Sequence, residues 1–284
     1  MHREEAFALW VLRACALFLV VAMASLVAYL GYQASGLFTI DQVSLGEFLT
    51  SFRFDPDLNH VGAAVFLLGS LSVTGLALLI GGPLGVAVAI FLSEIAPPAL
   101  ASVLTLTIEL LVGIPSVVYG WLGLLVVVPF VRATSLTSGF GFLAAGLVLG
   151  VMILPTVVAL SLEALRAQPQ SLREGSLALG ATRWETICHV LLPAARAGLG
   201  VAFLLGIARA IGETLAVQMV IGNASVFPHD LFHAAATLPT EIVLDMAGAP
   251  PGSLLQHALF AMACVLLGIS LLLVLLVRMI ARRS

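Results

Sequence analysis

Arg209 and Glu213 stand four residues apart in the middle of an apolar run, within Arg209-Ala-Ile-Gly-Glu213-Thr214-Leu-Ala-Val. On a continuous helix that spacing puts both side chains on one face. A charge near the centre of a membrane-spanning helix costs about 2.5–3.5 kcal/mol, so such a pair belongs against a partner helix or a wet pathway, not against lipid. Arginine's planar fork of donors suits an oxyanion. Glu213 would hold that fork when no anion is present and compete with the anion when one arrives. A self-neutralising pair that only sets helix packing is the competing reading.

A second polar interruption is Thr107-Ile-Glu109-Leu-Leu-Val-Gly113-Ile-Pro115-Ser116-Val-Val-Tyr119-Gly120. Pro115 lacks an amide hydrogen and predicts a kink or break in its span. The carbonyls freed near residue 111 need a donor, and Ser116 can help supply one. A discontinuous helix at a pathway, with Glu109 facing that pathway or a gate, accounts for the pattern. A plain packing kink accounts for it as well.

The third feature is a polar island, Arg166 to Arg196, holding four of the chain's twelve arginines. Ser171 with Glu174 three residues on has the form of a capping box. Gly180 should end that first helix and allow a turn. Thr182 to Val190 reads as a second short helix that stops before Pro193, so the pair makes a knob between two apolar spans.

Other chemistries find little support. His229 and His233 lie at i, i+4 spacing on an expected amphipathic helix, but no third ligand stands out and no metal is expected. Cys15, Cys188 and Cys264 are scattered and read as small buried thiols. No Ser/His/Asp arrangement for hydrolysis is discernible, and no catalytic residue is expected. None of the basic residues is a lysine, so the chain has no Gly-x4-Gly-Lys phosphate loop.

These features sit in a chain that is 61% hydrophobic and 10% charged, with a net charge of −3. That composition belongs to an integral membrane protein. The mean hydropathy of +1.15 agrees with it. No basic stripe suggests nucleic acid. Six apolar stretches are long enough to cross a bilayer as helices, at about residues 8–31, 62–92, 105–130, 139–162, 194–222 and 254–279. Ala22-Met23-Ala24 has the form of a signal-peptidase site, but the apolar run continues to Leu30, which predicts a retained helix. Arg3, Arg13, Arg166, Arg173, Arg183, Arg196, Arg278, Arg282 and Arg283 share one face, against Arg53 and Arg132 on the other. The positive-inside rule then puts both termini and the island in the cytoplasm. Gly81/Gly85 and Gly146/Gly150 mark close helix packing.

The island resembles the coupling segment of ABC-importer permeases, in which glutamate-alanine-alanine, three residues, glycine, nine residues and isoleucine-x-leucine-proline recur. Here Glu174, Gly175, Ser176, Gly180, Leu192 and Pro193 fill those places, with Gly175 and Ser176 where alanines are usual and Val190 where isoleucine is usual. Gly113-Ile-Pro115-Ser116-Val-Val-Tyr119-Gly120 and the Arg209–Val217 stretch are similar to the phosphate-specific permeases, PstC type, with Leu215 in place of methionine. The resemblance covers roughly residues 60–280. It implies an all-α membrane fold of six spans with a cytoplasmic two-helix knob, divided into a first span with its outer segment (1–61) and a permease core (62–284). It also implies a phosphate pathway through Arg209, Glu213, Thr214, Glu109, Pro115 and Ser116, in a bacterial inner membrane. The implied partners are a PstA-like sister permease, two copies of a cytoplasmic ATPase that bind the ATP and magnesium, and an outer-face phosphate-binding protein. This chain itself would hold no cofactor. The alternatives are a permease for sulfate, molybdate or phosphonate, or a membrane subunit that mainly signals phosphate status.

Overall fold

A computed structural model of the chain describes residues 2–135, 137–228 and 230–281, with side chains from Phe7 onward. Arg282, Arg283, His229 and the side chain of Arg3, all used in the sequence reading, lie outside the described residues. Six helices among the described residues are long and apolar enough to cross a membrane. An even number of crossings returns the chain to its starting face, which is also the face of the polar island. We call it the termini face.

The first helix, α1 (His2–Thr39), is longer than the apolar stretch at 8–31 that predicted it. Its membrane-length window is unburied by protein, and it packs on the last helix, α13 (Leu254–Ala281). Cys15 is therefore exposed on α1, not buried as its small apolar character suggested. The side chain of His257 in α13 pairs with Asp41 just past α1, with Nδ1 and Oδ2 2.8 Å apart. Gly36 lies directly under the His257 ring, so the two helices meet closely there. After α1 come a short helix, α2 (Leu45–Thr50), capped by Ser44, and a two-stranded hairpin, β1 (Phe54–Asp55) with β2 (His60–Val61). The otherwise all-α fold thus carries one small sheet.

The centre of the molecule is the pair α3 (Ala64–Ile90) and α7 (Phe142–Arg166). The glycines singled out in the sequence lie at this contact. A Cβ on Gly81 would sit 2.5 Å from the Gly150 carbonyl oxygen and 2.9 Å from Ile153 Cγ1. Gly146 faces Leu76, and Gly85 faces Val157. Backbones approach because the side chains that would separate them are missing.

A π-helical turn, Phe91–Ile95, ends α3, and two prolines lead into α4 (Pro98–Val112). The stretch at 105–130 is interrupted at Gly113 to Pro115, the break that Pro115 predicts. It resumes as α5 (Ser116–Leu122), a π turn and α6 (Val128–Ser135).

The island begins with α8 (Gln170–Ala178). Its N-cap is Pro169, so the capping box expected at Ser171 does not form and Ser171 lies within the first turn. The box forms at the second helix instead: Thr182 accepts from Glu185 N at 3.2 Å, and Glu185 accepts from Thr182 N at 2.7 Å. Gly180 makes the expected turn, with φ +89°. The second helix does not stop before Pro193. α9 (Arg183–Thr186) runs through the π turn Ile187–Leu191 into α10 (Leu192–Gly212), one continuous rod from Arg183 to Gly212. Proline is tolerated because it stands in the first turn of α10, where the π turn has already interrupted the i→i−4 ladder.

At the opposite face, α11 (Leu215–Ile221) ends at Gly222, and an irregular segment leads to α12 (Leu238–Met246). The helix expected to carry the histidines is absent among the described residues. Asp230 takes the amides of Phe232 and His233 and the His233 ring nitrogen, at 2.8, 3.2 and 2.7 Å, which closes a turn instead. Those bonds, the His233 ring first, hold the Asp230 carboxyl below its usual range. α12 is docked by Ser70 Oγ, which accepts from Leu238 N at 2.9 Å.

Glu241 of α12 is only 1% exposed, with Ser225 Oγ donating to one carboxylate oxygen at 3.2 Å. Burial, reinforced by the nearby charge of Asp245, pushes its pKa up from 4.5 to about 7. The folded chain therefore holds a proton there that the unfolded chain releases, so stability should fall as pH rises through that window. The apparent Tm in detergent is expected to drop between about pH 5 and pH 8, with the slope flattened in Glu241→Gln; an unchanged slope in the variant would assign it to another group. At the helix contact, Gly81→Val should abolish the monodisperse peak in fluorescence-detected size exclusion. Gly175→Ala, at a helical site with nothing within 4 Å, should stabilise by about 0.5–1 kcal/mol; equal tolerance of both changes would contradict the packing described.

Candidate functional site

Two interrupted helices meet inside the bundle. α5 and α11 begin immediately after the breaks and pack together, with Gly120 so placed that a Cβ would lie 2.8 Å from Ala216 Cα and 2.9 Å from Met219 Sδ. Only a glycine lets these two half-helices close on one another.

The break at Gly113 to Pro115 is satisfied locally. Pro115 cannot donate to the carbonyl four residues back, that of Leu111. The Tyr119 hydroxyl, nearly buried, donates to that oxygen at 2.9 Å, and the Ile114 amide adds a longer bond of 3.3 Å. Ser116, expected in this role, makes no side-chain hydrogen bond. A hydroxyl one turn further on reaches back across the gap, whereas Ser116 sits in the first turn of the new helix. Tyr119 was missed in the sequence, although its place four residues after Pro115 was visible.

The break in the fifth span overturns the expected pairing of Arg209 with Glu213. α10 ends at Gly212, and Glu213 is extended at φ −74°, ψ 125°, so the i, i+4 geometry does not exist. Arg209 Nη1 donates instead to Thr156 Oγ1 of α7 at 3.0 Å. Glu213 accepts from Ala216 N at 3.2 Å and so caps α11. A carboxylate at a helix N-terminus meets unpaired amides and the positive end of the dipole. The two charges are thus held by different partners, and no ion pair joins them. Thr214 bends back to the Gly212 carbonyl through a long bond of 3.4 Å. Nothing in the sequence pointed to Thr156, beyond its following Pro155 inside α7.

Arg209 lies within electrostatic range of Tyr119. Glu213 borders a small cleft of about 10 Å³ with Ser70, Thr74 and Thr237, room for about one water. Arg209 with Thr156 and Tyr119, and Glu213 with Ser70, Thr74 and Thr237, form two polar groups near the breaks, together called the polar centre below.

Glu109 is elsewhere. It lines a cavity of about 510 Å³ towards the termini face, with Thr105, Glu163 and Arg166. Pro115 and Ser116 stand at the break, between Glu109 and the polar centre in sequence.

The knob keeps its expected residues together. Ser176 Oγ and Thr186 Oγ1 lie 2.9 Å apart and tie α8 to the second helix, while Glu174 and Gly175 are exposed. Leu179, 90% exposed, and Trp184 present apolar surface away from the bundle. Leu192 and Pro193 begin α10, one π turn from that surface. Glu94 was not singled out in the sequence, yet it forms a bidentate ion pair with Arg173.

Comparison with known proteins places this arrangement. The family described as binding-protein-dependent transport system inner membrane component matches residues 81–284. A probable ABC transporter permease protein of Bacillus subtilis, YqgH, is 48% identical over 276 residues, 96% of this chain and 89% of its own length. The phosphate transport system permease protein PstC of Haemophilus influenzae is 34% identical over 254 residues, 82% of this chain and 80% of its own. Among solved structures, a bacterial alginate ABC transporter chain superposes with TM-score 0.64 at 18% identity, covering 96% of this chain and 94% of its own. An inward-facing MetNI methionine ABC transporter chain gives 0.55 at 23%, covering 77% and 94%. These two likenesses establish the fold.

Tyr119→Phe should destabilise the folded chain by about 1 kcal/mol, since it leaves the Leu111 carbonyl short of a donor. The same deletion at exposed Tyr32 should not. Thermal unfolding in detergent compares the two; matching shifts would remove Tyr119 from its place at the break.

Proposed function

This chain belongs to the family of binding-protein-dependent transport system inner membrane components, and from that premise we propose that it is the phosphate-conducting permease subunit of an ATP-driven importer. The observation that carries the proposal is Arg209. Among the described residues its guanidinium is held by a single hydroxyl, with no carboxylate paired to it, beside two helix breaks in a membrane-spanning bundle. An arginine kept free of a counter-charge retains donors for an oxyanion. Glu213, engaged at the start of α11, is set aside from Arg209 and would repel an anion that strayed past it.

The similarity to PstC proteins supports phosphate as that oxyanion. Alternating access would open the polar centre first to one face and then to the other, with Glu109 and Arg166 at the exit. The energy would come from a separate ATPase, two copies of which would serve the complete importer, docking on this chain's knob through Glu174, Gly175, Ser176 and Leu179. A PstA-like sister permease would supply the other half of the pathway, and a phosphate-binding protein would deliver substrate to the face opposite the termini. The arginine bias supports a cytoplasmic termini face, and the family description supports a bacterial inner membrane as the site of the chain.

The test is uptake of radiolabelled phosphate in cells where Arg209→Gln replaces the wild-type chain, with ATPase assembly followed by co-purification. Uptake should fall by roughly tenfold or more while assembly persists, and Arg209→Lys should recover only part of it, because lysine keeps the charge without the fork. Normal uptake in Arg209→Gln would remove this residue from the pathway. Preferential loss of sulfate or molybdate uptake would replace phosphate as the substrate.

A further inference from the structure

Among the described residues, one side chain ties the first knob helix to the ends of the membrane spans by hydrogen bonds: Arg173. Its Nε donates to Glu94 Oε2 at 3.1 Å and its Nη2 to Glu94 Oε1 at 2.8 Å. The same guanidinium donates through Nη1 to the Gln168 carbonyl at 2.9 Å and through Nη2 to the Leu165 carbonyl at 3.0 Å. Ser93 Oγ donates to Glu94 Oε1 at 2.6 Å and braces the carboxylate. The two side chains are largely sheltered, 17% and 11% exposed. One planar group thus joins three things: the π turn that ends α3, the carbonyls of Leu165 in α7 and Gln168 just past it, and the knob.

What lies beyond Glu94 gives the junction its meaning. Glu94 sits in the π turn Phe91–Ile95, and only Ala96 and Pro97 separate that turn from Pro98, the first residue of α4. Two adjacent prolines fix their φ angles and leave little slack in the link. α4 is then a single rod that carries Glu109 and ends at the Gly113–Pro115 break. A displacement of the knob taken up at Glu94 is therefore delivered to the interrupted span. The other side-chain link of α8, from Ser176 to Thr186, runs within the knob itself and leads into the fifth span.

We propose that Arg173 and Glu94 are the positioning pair through which the knob drives α4, so that the third span, and not the fifth alone, follows the ATPase. The proposal rests on the importer reading above. Sheltered ion pairs are poor devices for stability, because desolvation offsets much of their attraction; fixing one arrangement against another is a use better suited to them. Arginine is required, since a lysine cannot fork to the carboxylate while serving two carbonyls.

The experiment uses the whole complex, captured through a tag on this chain and reconstituted in liposomes, with phosphate uptake and ATP hydrolysis measured in the same vesicles. The variants are Arg173→Gln, Glu94→Gln and the exchange of Glu94→Arg with Arg173→Glu. Independently of substrate, spin labels at Ala178→Cys and Ser102→Cys, with the three native cysteines replaced, report the knob-to-α4 distance with and without nucleotide. Each single variant should keep its ATPase and its hydrolysis but move about tenfold less phosphate per ATP, an effect of the usual size for coupling between sites. The label distance should stop responding to nucleotide. The exchange should recover part of the coupling, and only part, because a carboxylate at position 173 has no donor for the Leu165 and Gln168 carbonyls. Parallel loss of uptake and hydrolysis, unchanged uptake per ATP, or a label response that survives Arg173→Gln would overturn the proposal. Should the wild-type complex hydrolyse ATP yet carry no phosphate, the substrate reading would fall, and the label response would still decide the role of Arg173.

Discussion

Backbone amides inside a bilayer have no water to bond, so a span can be interrupted only where the protein itself supplies the missing partners. Two of the six spans are interrupted here, and the rest of the molecule is arranged around that demand. Tyr119 serves the carbonyl orphaned by Pro115, and Glu213 serves an amide orphaned at the start of α11. The Gly120–Ala216 contact then packs the two following half-helices together, while Gly113, Pro115 and Gly212 at the breaks remain exposed on this chain. The polar side chains near the breaks are a by-product of solving this problem twice, on two half-helices that pack together.

The same demand explains why Arg209 and Glu213 part company. A continuous helix would have stacked them and cancelled their charges within the bundle. Ending α10 one residue before Glu213 turns the carboxylate into a cap and leaves the arginine to Thr156. The amide of Ala216 is a better use for a half-buried carboxylate than a distant guanidinium, because it also meets the end of a helix dipole.

Much of this was legible in the sequence. Hydropathy found all six spans, the small residues found the α3–α7 contact, and Pro115 and Gly180 located a break and a turn. What failed shares a cause. Ser171 and Thr182 both begin a Ser/Thr-x-x-Glu pattern, and periodicity alone does not say which one starts a helix; Pro169, whose ring suits a helix entry, decided the first. Pro193 looked like a stop because the π turn ahead of it leaves no mark in composition. Glu213 looked helical because nothing around it is a helix breaker except Gly212. Arg173 with Glu94, and Arg209 with Thr156, join residues 79 and 53 positions apart, which no local pattern reports.

The length of α1 has a geometric consequence. From Phe7 to Thr39 it has 33 residues, and at 1.5 Å each they extend about 50 Å, against a hydrocarbon layer of about 30 Å. Matching the two by slant alone would take an angle of roughly 50°, steeper than the range of about 0–40° found for such helices. α1 therefore overshoots the bilayer. Because Asp41 is fastened to His257, the start of α13 is carried up with it, and the β1–β2 hairpin rides on the same projection. The outer ends of α1 and α13 thus stand up together from the face opposite the termini.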